Sequence, residues 1–161
     1  MRFPVLSVAT AFFLGACATV ALESSASTSK ASREAPIAEL QLAPGATVLG
    51  LDAAPRAISP SGKASVSHLA RGRNAYVGLL RMDSGGSVPT HRDATEEYIH
   101  ILEGSGTMTI DGSVYEVAAG TTIYMPADAE VSFQNGESEL AAIQVFAGPE
   151  PAAKYEAWTA G

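Results

Sequence analysis

The stretch from Gly85 to Gly104 concentrates the side chains that can bind a metal ion. His91, Asp93 and Glu97 are separated by even numbers of residues, so in an extended chain, whose side chains alternate, they project to one side. One imidazole and two carboxylates on one face suit a divalent cation such as Zn, Mn, Fe or Ni. The same pattern also fits a solvated acidic rim with one surface histidine. These three residues are therefore the candidate metal ligands.

The elements that must position these side chains are short strands. From about residue 46 onward, β-like runs are separated by Gly, Pro and Asp, and nothing between them has the length of a helix. This pattern predicts an all-β sandwich or barrel. The predicted strands cover residues 47–51, 64–70, 75–82, 97–102, 107–110, 113–117, 121–125, 129–134 and 140–147.

One hairpin can be predicted down to its register. The dipeptide Asp111-Gly112 is a strong two-residue turn signal, which pairs Ile110 with Ser113 and Met108 with Tyr115. This register gives one mainly apolar face and one polar face, as a half-buried hairpin requires.

Five positions around the candidate ligands resemble the first motif of the cupin superfamily. That motif reads Gly, five residues, His, one residue, His, three or four residues, Glu, six residues, Gly. Every spacing is met, but an aspartate stands where the family has its second histidine. The matching residues are Gly85, His91, Asp93, Glu97 and Gly104.

The second cupin motif follows in step and departs from the family at two places. It reads Gly, five to seven residues, Pro, one residue, Gly, two residues, His, three residues, Asn. Asp128 replaces the internal glycine, and Val131 replaces the histidine that is the fourth metal ligand. The matching positions are Gly120, Pro126, Asp128, Val131 and Asn135.

The resemblance implies a single cupin-type jelly-roll β-barrel over residues 45–150, often dimeric in the family. An intact cupin site uses three histidines and one glutamate, so the resemblance implies one divalent metal ion, Mn, Fe, Ni or Zn, on an incomplete ligand set. The interior of such a barrel would receive alternate residues of each strand. The predicted pocket residues are Ile99, Val131, Phe133 and Gln144.

The N-terminal residues predict export. A positive Met1-Arg2 precedes an apolar run too short to cross a membrane, as in a signal peptide over residues 1–16. The run ends in Leu14-Gly15-Ala16-Cys17, which resembles a bacterial lipobox and implies a lipid anchor at Cys17 in the cell envelope, with the outer membrane favoured. The alternative is cleavage to a secreted soluble product. A Ser- and Ala-rich tether, 17–44, and a C-terminal extension, 151–161, flank the barrel.

Charge and pocket character limit the functions. Nine of the ten Lys and Arg residues lie at or before Arg92, and only Lys154 follows, so the second half is strongly anionic and nucleic acid is not expected as a partner. Three hypotheses remain open: a barrel that binds a small molecule beside a degenerate metal site, a metal-dependent isomerase or oxygenase with a reduced ligand set, and a non-catalytic envelope scaffold.

Overall fold

The structure is a computed structural model that describes residues 45–161. The predicted signal peptide, the Cys17 lipid site and the tether lie outside the described residues. Within residues 45–161, no helix is long and apolar enough to cross a membrane. The strands are β1 (Arg56–Ile58), β2 (Ala64–Arg71), β3 (Tyr76–Met82), β4 (Ser87–His91), β5 (Glu97–Glu103), β6 (Ser105–Ile110), β7 (Ser113–Ala118), β8 (Thr122–Met125), β9 (Val131–Asn135), β10 (Leu140–Phe146) and β11 (Thr159–Ala160), with 3-10 helices at Leu51–Ala53 and Glu150–Ala157.

Two antiparallel sheets make the fold. The larger has the order β11-β1-β2-β3-β10-β5-β8, and the smaller has the order β4-β9-β6-β7. From β3 to β10 the chain passes from one sheet to the other at every connection except the β6–β7 hairpin, where it stays in the smaller sheet. This alternation is the jelly-roll arrangement, and the predicted all-β fold is confirmed.

The predicted hairpin has the expected register. Ile110 lies opposite Ser113, and Met108 lies opposite Tyr115. Both turn residues in Asp111-Gly112 have positive φ, 46° and 78°, as this kind of tight turn requires. Tyr115 is nevertheless half exposed, because β7 is the edge strand of the smaller sheet.

The strand predictions fail at four places along the chain. The predicted strand 47–51 is wrong: residues 45–50 have no regular structure, and Val48 is fully exposed. β4 was not predicted because Pro89 and its polar neighbours argue against a strand, yet an edge strand tolerates proline. The short β1 and β11 were also missed.

Three motif positions prove to be structural. Gly104 has φ +85°, and a Cβ atom there would lie 2.5 Å from the Glu139 carbonyl oxygen. Asp128 has φ 62°, a left-handed conformation that explains the glycine of the family motif and that aspartate can adopt. Buried Asn135 donates from Nδ2 to the backbone carbonyls of Met82, Asp83 and Ser138 at 2.8 to 3.2 Å, which ties two loops together.

Two apolar clusters fill the interior. The larger lies between the sheets and includes Met82, Ile101 and Leu140. The second is aromatic, with fully buried Tyr76 and Phe146 stacked at 5.8 Å between ring centres and Tyr155 of the C-terminal 3-10 helix beside them. The C-terminal extension is therefore part of the packed structure.

Candidate functional site

A cavity of about 500 Å³ lies between the two sheets. The four predicted pocket residues, Ile99, Val131, Phe133 and Gln144, all line it, although their part in ligand binding stays a prediction. The wall is mainly apolar, and it also includes Met82, Ile101, Met108, Ile123, Met125 and Leu140. The polar groups that face the cavity include His91, Glu97, Gln144, Lys154 and Tyr155.

Glu97 is among the most buried polar groups of the wall, with 4% of its surface exposed. Its Oε1 accepts a hydrogen bond of 2.5 Å from Gln144 Nε2, and Gln144 Oε1 accepts one from the Tyr155 hydroxyl. Burial raises the pKa of Glu97, and the bond from Gln144 only partly opposes this. Burial also raises the pKa of Tyr155 well above its ordinary value, so its hydroxyl stays a donor.

This burial gives Glu97 a predictable effect on stability. Between the ordinary and the raised pKa of Glu97, the unfolded chain ionises first, so the folded protein should lose stability as pH rises through that window. Glu97→Gln should flatten this part of the profile and stabilise the fold at neutral pH. Urea denaturation at stepped pH tests this, with exposed Glu103→Gln on the same strand as the control. A Glu97→Gln profile as steep as the wild-type one would contradict the prediction.

His91 ends β4, directly opposite Val131 of β9. Its Nδ1 lies 2.9 Å from the Pro89 carbonyl oxygen and donates to it, which directs Nε2 towards Asp93. The distance from Nε2 to Asp93 Oδ2, 3.7 Å, is that of an ion pair. The interaction with Asp93 raises the pKa of His91, while partial burial acts in the opposite direction.

Asp93 has a closer partner that sequence reasoning missed. Lys154 Nζ, from the C-terminal 3-10 helix, donates to Asp93 Oδ2 at 2.8 Å and lies 4.8 Å from the centre of the Phe146 ring. Burial by itself would raise the pKa of Asp93, but the interactions with His91 and Lys154 outweigh it and lower the pKa. The available signal was that Lys154 is the only basic Lys or Arg residue after Arg92.

The three predicted metal ligands do not converge. His91 and Asp93 come together, whereas Glu97 is hydrogen-bonded to Gln144 and has a pKa that burial raises. No group of three His, Cys, Asp or Glu side chains in the described part of the chain could hold a metal ion. Metal ligands must be deprotonated, and Asp93 is already paired with an ammonium. This donor set does not fit a metal ion, and metal binding stays a prediction.

Comparison with known proteins agrees with this architecture. A family model described as a cupin domain matches residues 78–146. An uncharacterized protein of Streptomyces coelicolor is 30% identical over 80 residues, which cover 50% of this chain and 76% of that protein. The chain belongs to the cupin superfamily. This cupin has the same fold as an RmlC-like cupin from Shewanella frigidimarina, with a TM-score of 0.60 and 13% sequence identity. The superposition covers 65% of this chain and 92% of that one.

One characterised relative is an enzyme. Over 58 residues this cupin is 40% identical to the dimethylsulfoniopropionate lyase DddW of Ruegeria pomeroyi. The match covers 36% of this chain and 38% of the lyase, so it spans well under half of that enzyme.

Proposed function

We propose that this cupin binds a small, mainly apolar organic molecule in the cavity between its sheets. The observation that carries the proposal is the cavity itself. Its volume of about 500 Å³ falls within the range of ligand pockets, roughly 300–1,000 Å³, and its apolar wall is interrupted by a few polar groups. Val131, at the position of a family metal ligand, adds to the apolar wall instead.

The test uses a neutral probe of suitable size, octanamide. Titration followed by amide NMR shifts should show saturable binding, with the largest shifts on the strands that line the cavity. Ile99→Trp, which places an indole in the cavity, should weaken binding at least tenfold. Val114→Trp adds the same side chain at an exposed position of β7 and should leave binding unchanged. Equal binding by both variants would show that the probe binds elsewhere, and no binding to the wild type would favour a scaffold.

A second candidate is a metal-dependent cupin enzyme, and the similarity to the DddW lyase favours it. Elemental analysis of untagged, chelator-free protein discriminates the two candidates. Near-stoichiometric metal that is lost in His91→Ala would support the enzyme. Absence of metal after addition of Mn, Fe, Ni and Zn would contradict it.

We also propose that a lipid at Cys17 anchors the protein to the cell envelope. The support is the apolar run that ends in Leu14-Gly15-Ala16-Cys17. Labelled palmitate should be incorporated by the wild type and lost in Cys17→Ala. Labelling that persists in the variant would contradict the anchor.

A further inference from the structure

The cavity already contains a fixed cation. Lys154 lies on the C-terminal 3-10 helix, outside the residues that match the family model, and it lines the cavity. There it binds Asp93, which occupies the motif position of a family metal ligand. The positive charge that a metal ion would bring to this position is thus supplied by a side chain of the protein.

The Lys154 ammonium is fixed by two contacts, and not all of its N–H donors are hydrogen-bonded. The Asp93 carboxylate fixes it, and the face of the Phe146 ring, 4.8 Å away, adds a favourable cation–π contact. An ammonium has three N–H donors, and within residues 45–161 its one hydrogen bond is to Asp93 Oδ2. The other two donors therefore have no hydrogen-bond partner among the described residues.

The charges around the ammonium define what such a molecule would carry. Asp93 balances one positive charge, and buried Glu97 is held by an amide donor, not by a cation. His91 lines the cavity at this end, and its Nε2 lies 3.7 Å from Asp93 Oδ2. An ammonium that is shared with one carboxylate suits a group with a single negative charge. A dianionic phosphate would need more positive charge than this site holds.

We propose that Lys154 takes the place of the metal ion in this barrel and recognises the carboxylate of a small apolar acid. This inference rests on the proposed function, because the apolar part of the acid occupies the same cavity. The ligand class is a monocarboxylate with a chain or ring that fills the apolar wall, and its carboxylate lies at the Lys154 and His91 end.

A cation outside the cavity provides a matched control. Arg81 forms an exposed ion pair with Glu139 and does not line the cavity.

Calorimetric titration with octanoate and octanamide tests the inference, since the two probes differ mainly in charge. The wild type should bind octanoate at least tenfold more tightly than octanamide. Lys154→Met should abolish this preference while leaving octanamide affinity within twofold. Lys154→Arg should retain most of it, and Arg81→Met should retain all of it.

The other outcomes separate failure of the Lys154 role from failure of the proposed function. Two outcomes would contradict the role of Lys154 but not the binding function. In one, the wild type binds octanamide as tightly as octanoate; in the other, Lys154→Met still prefers octanoate. If neither probe binds the folded wild type, the proposed function itself fails. A thermal melt of each variant establishes that it is folded.

Discussion

Replacing Val131 with histidine should give the barrel measurable affinity for transition metals. Val131 is buried, lines the cavity and lies directly opposite His91 on the neighbouring strand, so Val131→His brings two imidazoles side by side near Asp93. A complete structural zinc site is worth roughly 10–16 kcal/mol, so one added ligand should raise affinity by about two orders of magnitude. Titration of the chelator-treated protein with Zn²⁺ and Ni²⁺ measures the gain.

Phe133→His is the matched control for this gain. Phe133 lines the same cavity on the same strand, but it pairs with Val88 and not with a histidine. An equal gain in both variants, or none in Val131→His, would show that position 131 does not complete the His91 site. Adding Lys154→Met to Val131→His should raise metal affinity further, because it frees Asp93 from the ammonium.

Phe146→Ala should cause the largest loss of stability. Phe146 is fully buried, stacks on Tyr76 and supports Lys154 through its ring. Large-to-small replacement of a buried phenylalanine costs about 3–5 kcal/mol, because apolar transfer energy is lost and a cavity remains. The free energy of unfolding in urea measures this.

The control for this loss is Tyr115→Ala. Tyr115 is an aromatic residue of similar size that is half exposed on the edge strand β7. Its replacement should cost about 1 kcal/mol or less. Similar losses in the two variants would contradict the placement of Phe146 in the aromatic cluster.

The fold could be predicted because its signals are local. The dipeptide Asp111-Gly112 fixes a hairpin register by turn geometry alone. The long motif spacing placed Gly104, Asp128 and Asn135 at positions where the backbone has left-handed residues or needs a buried amide. β4 was missed because an edge strand tolerates Pro89 and polar neighbours, which argue against a strand in the sequence.

The candidate site was predicted only in part, for two physical reasons. Alternation places His91, Asp93 and Glu97 on one side only while the chain stays extended, but residues 92–96 lie outside the strands, so the alternation breaks before Glu97. The contact between Lys154 and Asp93 joins residues 61 positions apart, and no local periodicity indicates such a contact. Gln144 was predicted as a pocket residue, but its bonds to Glu97 and Tyr155 depend on this same long-range packing.

Trp158, which lies next to this packing, gives the protein an intrinsic fluorescent reporter. Trp158 is the only tryptophan in the chain, and it lines the cavity with its ring centre 4.8 Å from that of Tyr155 in an edge-on contact. All indole fluorescence therefore comes from one place, beside the proposed ligand. Displacement of water from the indole by a bound molecule should change its emission colour and intensity, so occupancy of the unlabelled protein can be followed in real time.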